Sequence, residues 1–227
     1  MGTPGTRTEP LTIRTVIDGI EHPEQDVLDW ELNRARTALA LLKARIGDER
    51  TRELLAPDLL AADEAMAPLP GTAHGEWRSA VTEMEVEGID AHTFLTWWQG
   101  RLGSADRVAL LAANPEHYLA NSADGVVEII ETIGSGPLRF FLTFHDGVAI
   151  ADPGHETYPV RIGGTGRLAD GTEIARVMHE FGDGANGLRI RLTIQFPTSA
   201  PEHVFVGHQW HFACEFRNWL EAARRAA

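Results

Sequence analysis

Apolar residues follow two different rhythms along this chain, and the change of rhythm predicts the order of its elements. In residues 22–55, Val27, Trp30, Leu32, Ala38, Leu41 and Leu42 recur near a 3.6-residue period, and Gly47 is a natural stop, so a helical region is expected. Before it, "LTIRTVI" at 11–17 suits a short strand, and residues 1–10, rich in Gly, Thr and Pro, have little to bury and are expected to be disordered. Residues 56–75 are rich in Ala and Pro without a sustained period, which predicts a connector. "DAHTFLTWWQGRL" at 90–102 predicts a helix capped by Asp90 and ended by Gly103, with protein on both sides because Trp97 and Trp98 point apart. "DRVALLAANPEHYL" at 106–119 starts as a helix and breaks at Asn114-Pro115.

Beyond residue 125 the period becomes two. Five strand-like runs, "GVVEIIETI", "LRFFLTFHDG", "TYPVRIGGTG", "EIARVMHEFGDG" and "NGLRIRLTIQFP", are punctuated by Gly, Pro, Asn and Asp. The last alternates clearly, with Ile190, Leu192, Ile194 and Phe196 on one face and Arg189, Arg191, Thr193 and Gln195 on the other. From about residue 203 a long helix closes the chain. Helices, then a curved antiparallel sheet, then a C-terminal helix predict an α+β fold in which the helix and the sheet enclose a cavity. The expected organisation is a tail at 1–10, a helical N-terminal region at 11–70 and a sheet-and-helix domain at 71–227.

Composition narrows the function. Of 227 residues, 43% are hydrophobic and 23% charged, ordinary for a globular protein, while a formal net charge of −13 disfavours nucleic acid and anionic membrane as partners. No run of eighteen apolar residues predicts a membrane span, no apolar leader is seen, and the single cysteine, Cys214, fits a reducing cytoplasm.

The C-terminal stretch "HQWHFACEFRNWLEAARRA" carries the clearest chemistry. His211 and Glu215 stand one helical turn apart, a spacing that lets an imidazole nitrogen and a carboxylate oxygen reach one divalent ion. Taken alone, the spacing suits an ordinary surface pair as well. Phe212, Cys214, Phe216, Trp219 and Leu220 leave that turn little water, and a buried charge needs a partner or a metal. Further ligands are available in His117, at the helix break, and in Glu128 or Glu131, whichever points inward from its strand. His208 falls at the rim of such a site, and Asn218 one turn beyond Glu215. Other signals are weaker. "HEFGD" at 179–183 lacks the second His of a zinc-protease motif, and the glycines of "GGTGRLADG" at 163–171 lack a phosphate-binding Lys and suit hairpin turns.

Five segments, taken in order, resemble the zinc-dependent diacetylphloroglucinol hydrolase family, whose members join a helical N-terminal part to a START-like (Bet v 1-like) domain. "VEGIDAHTFLTWWQGRL" is similar to a family helix bearing WW, and "NPEHYLANS" to its HPxxH segment. "VVEIIETIG" is similar to a strand bearing a Glu, "ARVMHEFGDGANGLRIRLTIQF" to a hairpin with a His, and "WHFACEFRNWL" to its final helix. Together they span roughly residues 78–224. The resemblance implies a zinc site, or one for another divalent metal, of two His and two Glu: Glu131, His211, Glu215 and a fourth ligand. In the HPxxH segment the first His is Asn114 and the last position falls on Tyr118, with His117 one residue earlier, so His117 or Tyr118 fills that place.

By the same resemblance, the expected activity is hydrolysis of a carbon–carbon bond between an acyl group and a phenolic ring or a β-diketone-like carbon. His179 is the expected general acid, with a pKa near neutral, that protonates the departing ring carbon, with Tyr118 and Asn121 orienting ring hydroxyls. Trp97, Trp98, Phe140, Phe144 and Trp210 are candidate aromatic walls. The expected partner is a small aromatic or polyketide-like substrate, and residues 25–55 offer a surface for a homodimer. The alternative is a non-catalytic carrier of a hydrophobic aromatic ligand.

Overall fold

Seven strands form one sheet, antiparallel throughout, in the spatial order Trp77–Glu87 (β3), Gly187–Pro197 (β9), Glu173–Asp183 (β8), Val160–Arg167 (β7), Gly136–Phe144 (β6), Val126–Ile133 (β5) and His117–Ala123 (β4). The computed structural model describes residues 13–104, 106–133, 136–147, 150, 158–185 and 187–227. The expected tail at 1–10 lies outside the described residues. Two helices, α3 (Ala91–Gly103) and α4 (Arg107–Ala112), link the edge strands β3 and β4, and α5 (Glu202–Ala226) ends the chain. Asp90 caps α3 through a 2.7 Å bond from the Thr93 amide. This is the α+β order that the rhythm of the sequence predicts, with a long C-terminal helix after the sheet.

The chain divides into two compact units, Met1–Ala44 and Arg45–Ala227. In the first, β1 (Thr15–Ile17) and β2 (Ile20–His22) form a hairpin whose Asp18-Gly19 turn has positive φ at both residues, the turn that matches strand twist. Helix α1 (Glu24–Met66) follows and is interrupted at Gly47, whose φ of 73° and ψ of 173° are not helical. Residues 56–66, expected as a connector, are helical, and α2 (Leu69–Thr72) comes after them. Pro57 lies inside this helical stretch.

In the second unit one face of the sheet is the main core. Ile190, Leu192, Ile194 and Phe196 of β9 are buried there with Phe181 of β8, against Phe205, Phe212, Phe216 and Trp219 of α5. On the opposite face of β4 and β5, Leu119 and Ile130 are covered by Leu55 and Leu59 of α1. Gly163, Gly164 and Gly166 lie inside β7 rather than in a turn. A Cβ on Gly164 would sit 2.9 Å from the Thr143 carbonyl oxygen, and one on Gly166 3.2 Å from the Ala175 Cβ, so close approach explains Gly164 and Gly166.

Candidate metal centre

Strand parity decides which side chains meet. In β5, Val127, Ile129 and Glu131 face the cavity under α5, while Glu128 points to the other face and receives two bonds from Arg52. In β4 a register shift between His117 and Leu119 inserts one residue. The bulge changes the phase of the strand, so His117 and Ala120 face the cavity while Tyr118 and Leu119 both join the outer cluster. The break at Asn114-Pro115 is also held in place. Asn114 Oδ1 accepts from the Glu116 amide at 3.0 Å, and Asn114 Nδ2 donates to the His211 carbonyl at 3.3 Å. The turn that launches His117 is thereby tied to α5.

His117, Glu131 and His211 are buried, and one ligand atom from each lies within 4.8 Å of the others. His117 Nε2 is 3.0 Å from His211 Nε2 and 3.4 Å from Glu131 Oε2, and His211 Nε2 is also 3.4 Å from Glu131 Oε2. Glu215 Oε1 reaches His117 Nε2 at 3.5 Å. Donors held about 2.0–2.1 Å from a tetrahedral ion stand about 3.3 Å apart, so these spacings fit a small divalent cation. The donor set fits as well. His117 Nδ1–H donates to the Leu110 carbonyl at 2.8 Å, which leaves a lone pair on Nε2, the atom aimed at the cluster. This buried His-Glu-His group can hold a metal, with Glu215 beside it.

Protonation is strongly coupled here. Burial alone would raise the Glu131 pKa, but the charge and hydrogen bond of His211, with His117 adding, outweigh it and hold the carboxyl near 2. Burial would lower the His211 pKa, yet Glu131 overrides it and lifts the imidazole to about 9. Glu215 is pushed up to about 8 by burial, with His211 opposing and Glu131 reinforcing. Without metal the cluster is a Glu131–His211 ion pair beside a protonated Glu215.

The whole cavity, His-Glu cluster included, is about 80 Å³ and is lined mainly by apolar side chains, among them Trp98, Phe140, Phe144 and Phe212. His179 projects into it from β8, ringed by Trp98, Phe212 and Phe216 at 5.4–6.0 Å between centroids. Burial pulls its pKa down to about 4, so it is neutral at pH 7. The adjacent Glu180 points the opposite way and bonds Arg161, which is why "HE" is no ligand pair here.

Other sequence expectations need correction. Tyr118 bonds Thr132 through its hydroxyl at 3.0 Å on the outer face, so it neither fills a ligand place nor reaches the cavity lining. Asn121 is exposed in β4 and is likewise absent from that lining. Trp210 is 75% exposed, and Trp97 packs against Arg101 rather than the cavity. His208 is not at a rim. It is buried, stacks on His211 at 5.2 Å and has its pKa lowered to about 3 by burial and by His211. Its position one turn before His211 was the available signal. Trp98 Nε1, His179 Nδ1 and His208 Nδ1 are buried in this lining without a protein hydrogen-bond partner among the described residues. Asn218 donates to the Ala113 carbonyl at 2.7 Å and so braces α5 against the end of α4.

No family model and no curated protein matches the chain. Among solved structures it is similar to Ara h 8.0201, with 9% identity, a TM-score of 0.46 and coverage of 65% of this chain and 98% of that one. It is also similar to an uncharacterised protein from Rhizobium leguminosarum, at 14% identity, a TM-score of 0.41 and coverage of 67% and 97%. An AHSA1-like protein from Aeromonas hydrophila follows, at 18% identity, a TM-score of 0.39 and coverage of 64% and 94%. No described helix is long and apolar enough to cross a membrane.

Proposed function

We propose that this protein is a metal-dependent hydrolase, with zinc as the first candidate, that cleaves the carbon–carbon bond between an acyl group and a phenolic or β-diketone-like carbon of a small molecule. The observation that carries the reading is the convergence of His117, Glu131 and His211, with Glu215 beside them, at a mostly apolar cavity. The motif resemblance supports the substrate class. His117, Glu131, His211 and Glu215 would hold the ion, and their two carboxylates would balance its charge. Bound there, a divalent ion would supply Lewis acidity toward a carbonyl oxygen and toward water.

The chain's own residues account for the proton traffic. A neutral His179 can accept a proton from the attacking water as its oxygen bonds to the acyl carbon. The acyl–ring bond then breaks, its electron pair stays on the ring carbon, and the imidazolium returns the proton to that carbon. One water is consumed, giving a carboxylic acid and a ring C–H. Phe140, Phe144 and Phe212 exclude bulk water, and the Trp98 indole N–H is available to a substrate oxygen.

The apolar lining also favours a second reading, a binder of aromatic ligands without turnover. Acylated phenols incubated with the metal-loaded protein separate the two. Release of free acid, abolished in His179→Gln with metal retained, supports the hydrolase. Metal-independent binding without acid release supports the binder, and absence of metal after loading with zinc sinks the site itself.

A further inference from the structure

The described residues of the first unit, 13–44, build no core of their own. Among its described residues only Lys43 is buried, and ten large apolar side chains of residues 13–44 are exposed. Their exposed area is on the order of 1,000 Å² in sum, against about 800 Å² per partner in a standard interface. A two-stranded hairpin and one helix do not bury such residues by themselves.

The helix carries a pattern. Leu28, Leu32, Ala35, Leu39 and Leu42 recur at alternating steps of four and three, the seam of a coiled coil. Leu28 and Leu32 are each 50% exposed and Leu42 57%. Charge is polarised along the same segment: Glu24, Asp26, Asp29 and Glu31 fall in its first part, Arg34, Arg36 and Lys43 in its second. A parallel pair would set acid on acid, whereas an antiparallel pair sets each acidic end beside a basic one.

We infer that this seam is a self-association surface on which a second copy of the chain lies antiparallel, pairing Leu32 with the partner's Leu42 and Ala35 with the partner's Leu39. Sedimentation equilibrium of the full chain at micromolar concentration tests association. A dimer is expected, reduced to monomer by Leu32→Lys and, separately, by Leu39→Glu, each with an unchanged far-ultraviolet dichroism spectrum. A monomeric parent chain, or a dimer indifferent to both substitutions, overturns the inference. Orientation is read by disulfide trapping in a Cys214→Ser background. Leu32→Cys and Leu42→Cys chains, mixed and oxidised, should cross-link to each other and not to themselves. Self-cross-linking of each alone would show a parallel pair and overturn the antiparallel arrangement.

Discussion

Metal and protons compete for the same four side chains, and the geometry sets the stoichiometry. His211, lifted to about 9, and Glu215, lifted to about 8, both carry protons at pH 6–7 in the metal-free cluster, while Glu131 is ionised. A divalent ion needs both protons gone, so binding should release at least two protons and tighten steeply as pH rises toward 8. Calorimetry in buffers of different ionisation enthalpy measures this directly, and release of no protons would refute the ligand set. The placement of the donors gives a second expectation. His211→Ala and Glu131→Gln should each reduce metal content from about one per chain to a small fraction, with at least a 10–100-fold loss of affinity. Tyr118→Phe and Asn121→Ala should retain it, because neither residue lines the cavity. Metal analysis of zinc-loaded, dialysed proteins distinguishes these outcomes.

At the scale of elements, what could be read from the sequence was what alternates strongly or caps clearly. The five runs after residue 125 supply β5 to β9, and Asp90 and Gly103 bound α3 closely, because a buried face or a capping carboxylate leaves a local signature. β3 and β4 were harder to see. "WRSAVTEMEVE" alternates only over its second half, where Met84 and Val86 turn inward between exposed Glu83, Glu85 and Glu87, and it stands apart from the other strands between helices, while "HYLANSA" is short and bulged and shows no clean period of two. The bulge is also why His117 and Tyr118 could not be separated by counting, since a single inserted residue changes which of them faces inward. His211 and Glu215 were legible because helical spacing fixes their directions locally, whereas strand parity left Glu128 and Glu131 as alternatives and only the motif resemblance favoured Glu131. His208 was not, because its burial depends on the sheet beneath it. The β7 glycines give an element-scale expectation. Gly164→Ala places a methyl 2.9 Å from a backbone carbonyl, with Leu142 and Phe144 at 3.2 Å, and should destabilise the fold by about 1–3 kcal/mol. Denaturant titration reads this, and an unchanged midpoint would show that β6 and β7 are not packed so tightly.

Across the whole molecule, the buried histidines make folding sensitive to acid in a definite window. His179 is held at about 4 by desolvation, whereas an unfolded chain titrates its histidines near 6.5. Between those values the unfolded chain binds a proton that the folded one refuses. Stability is therefore fully present above pH 6.5 and is lost as pH falls toward 4, by about 3 kcal/mol for this side chain. His208, lowered to about 3, acts with the same sign over a wider window. The cluster opposes this trend through Glu215, which is raised from 4.5 to about 8 and so binds a proton in the folded chain that the unfolded chain gives up over that range, while His211, raised to about 9, contributes stability that is complete below 6.5 and fades as pH climbs through 9. In metal-free protein the net result is a stability maximum near neutrality, with an acid limb set by the cavity rather than by surface carboxylates. His179→Leu keeps comparable bulk and removes the titrating group, so unfolding measured from pH 7 down to 4.5 should lose much of its slope in that variant. An acid limb of unchanged steepness would place the cost elsewhere and imply that water reaches His179 in the folded chain. The same measurement bears on the proposed mechanism, because a histidine held near 4 is a weak base whose conjugate acid readily gives its proton back to the departing ring carbon.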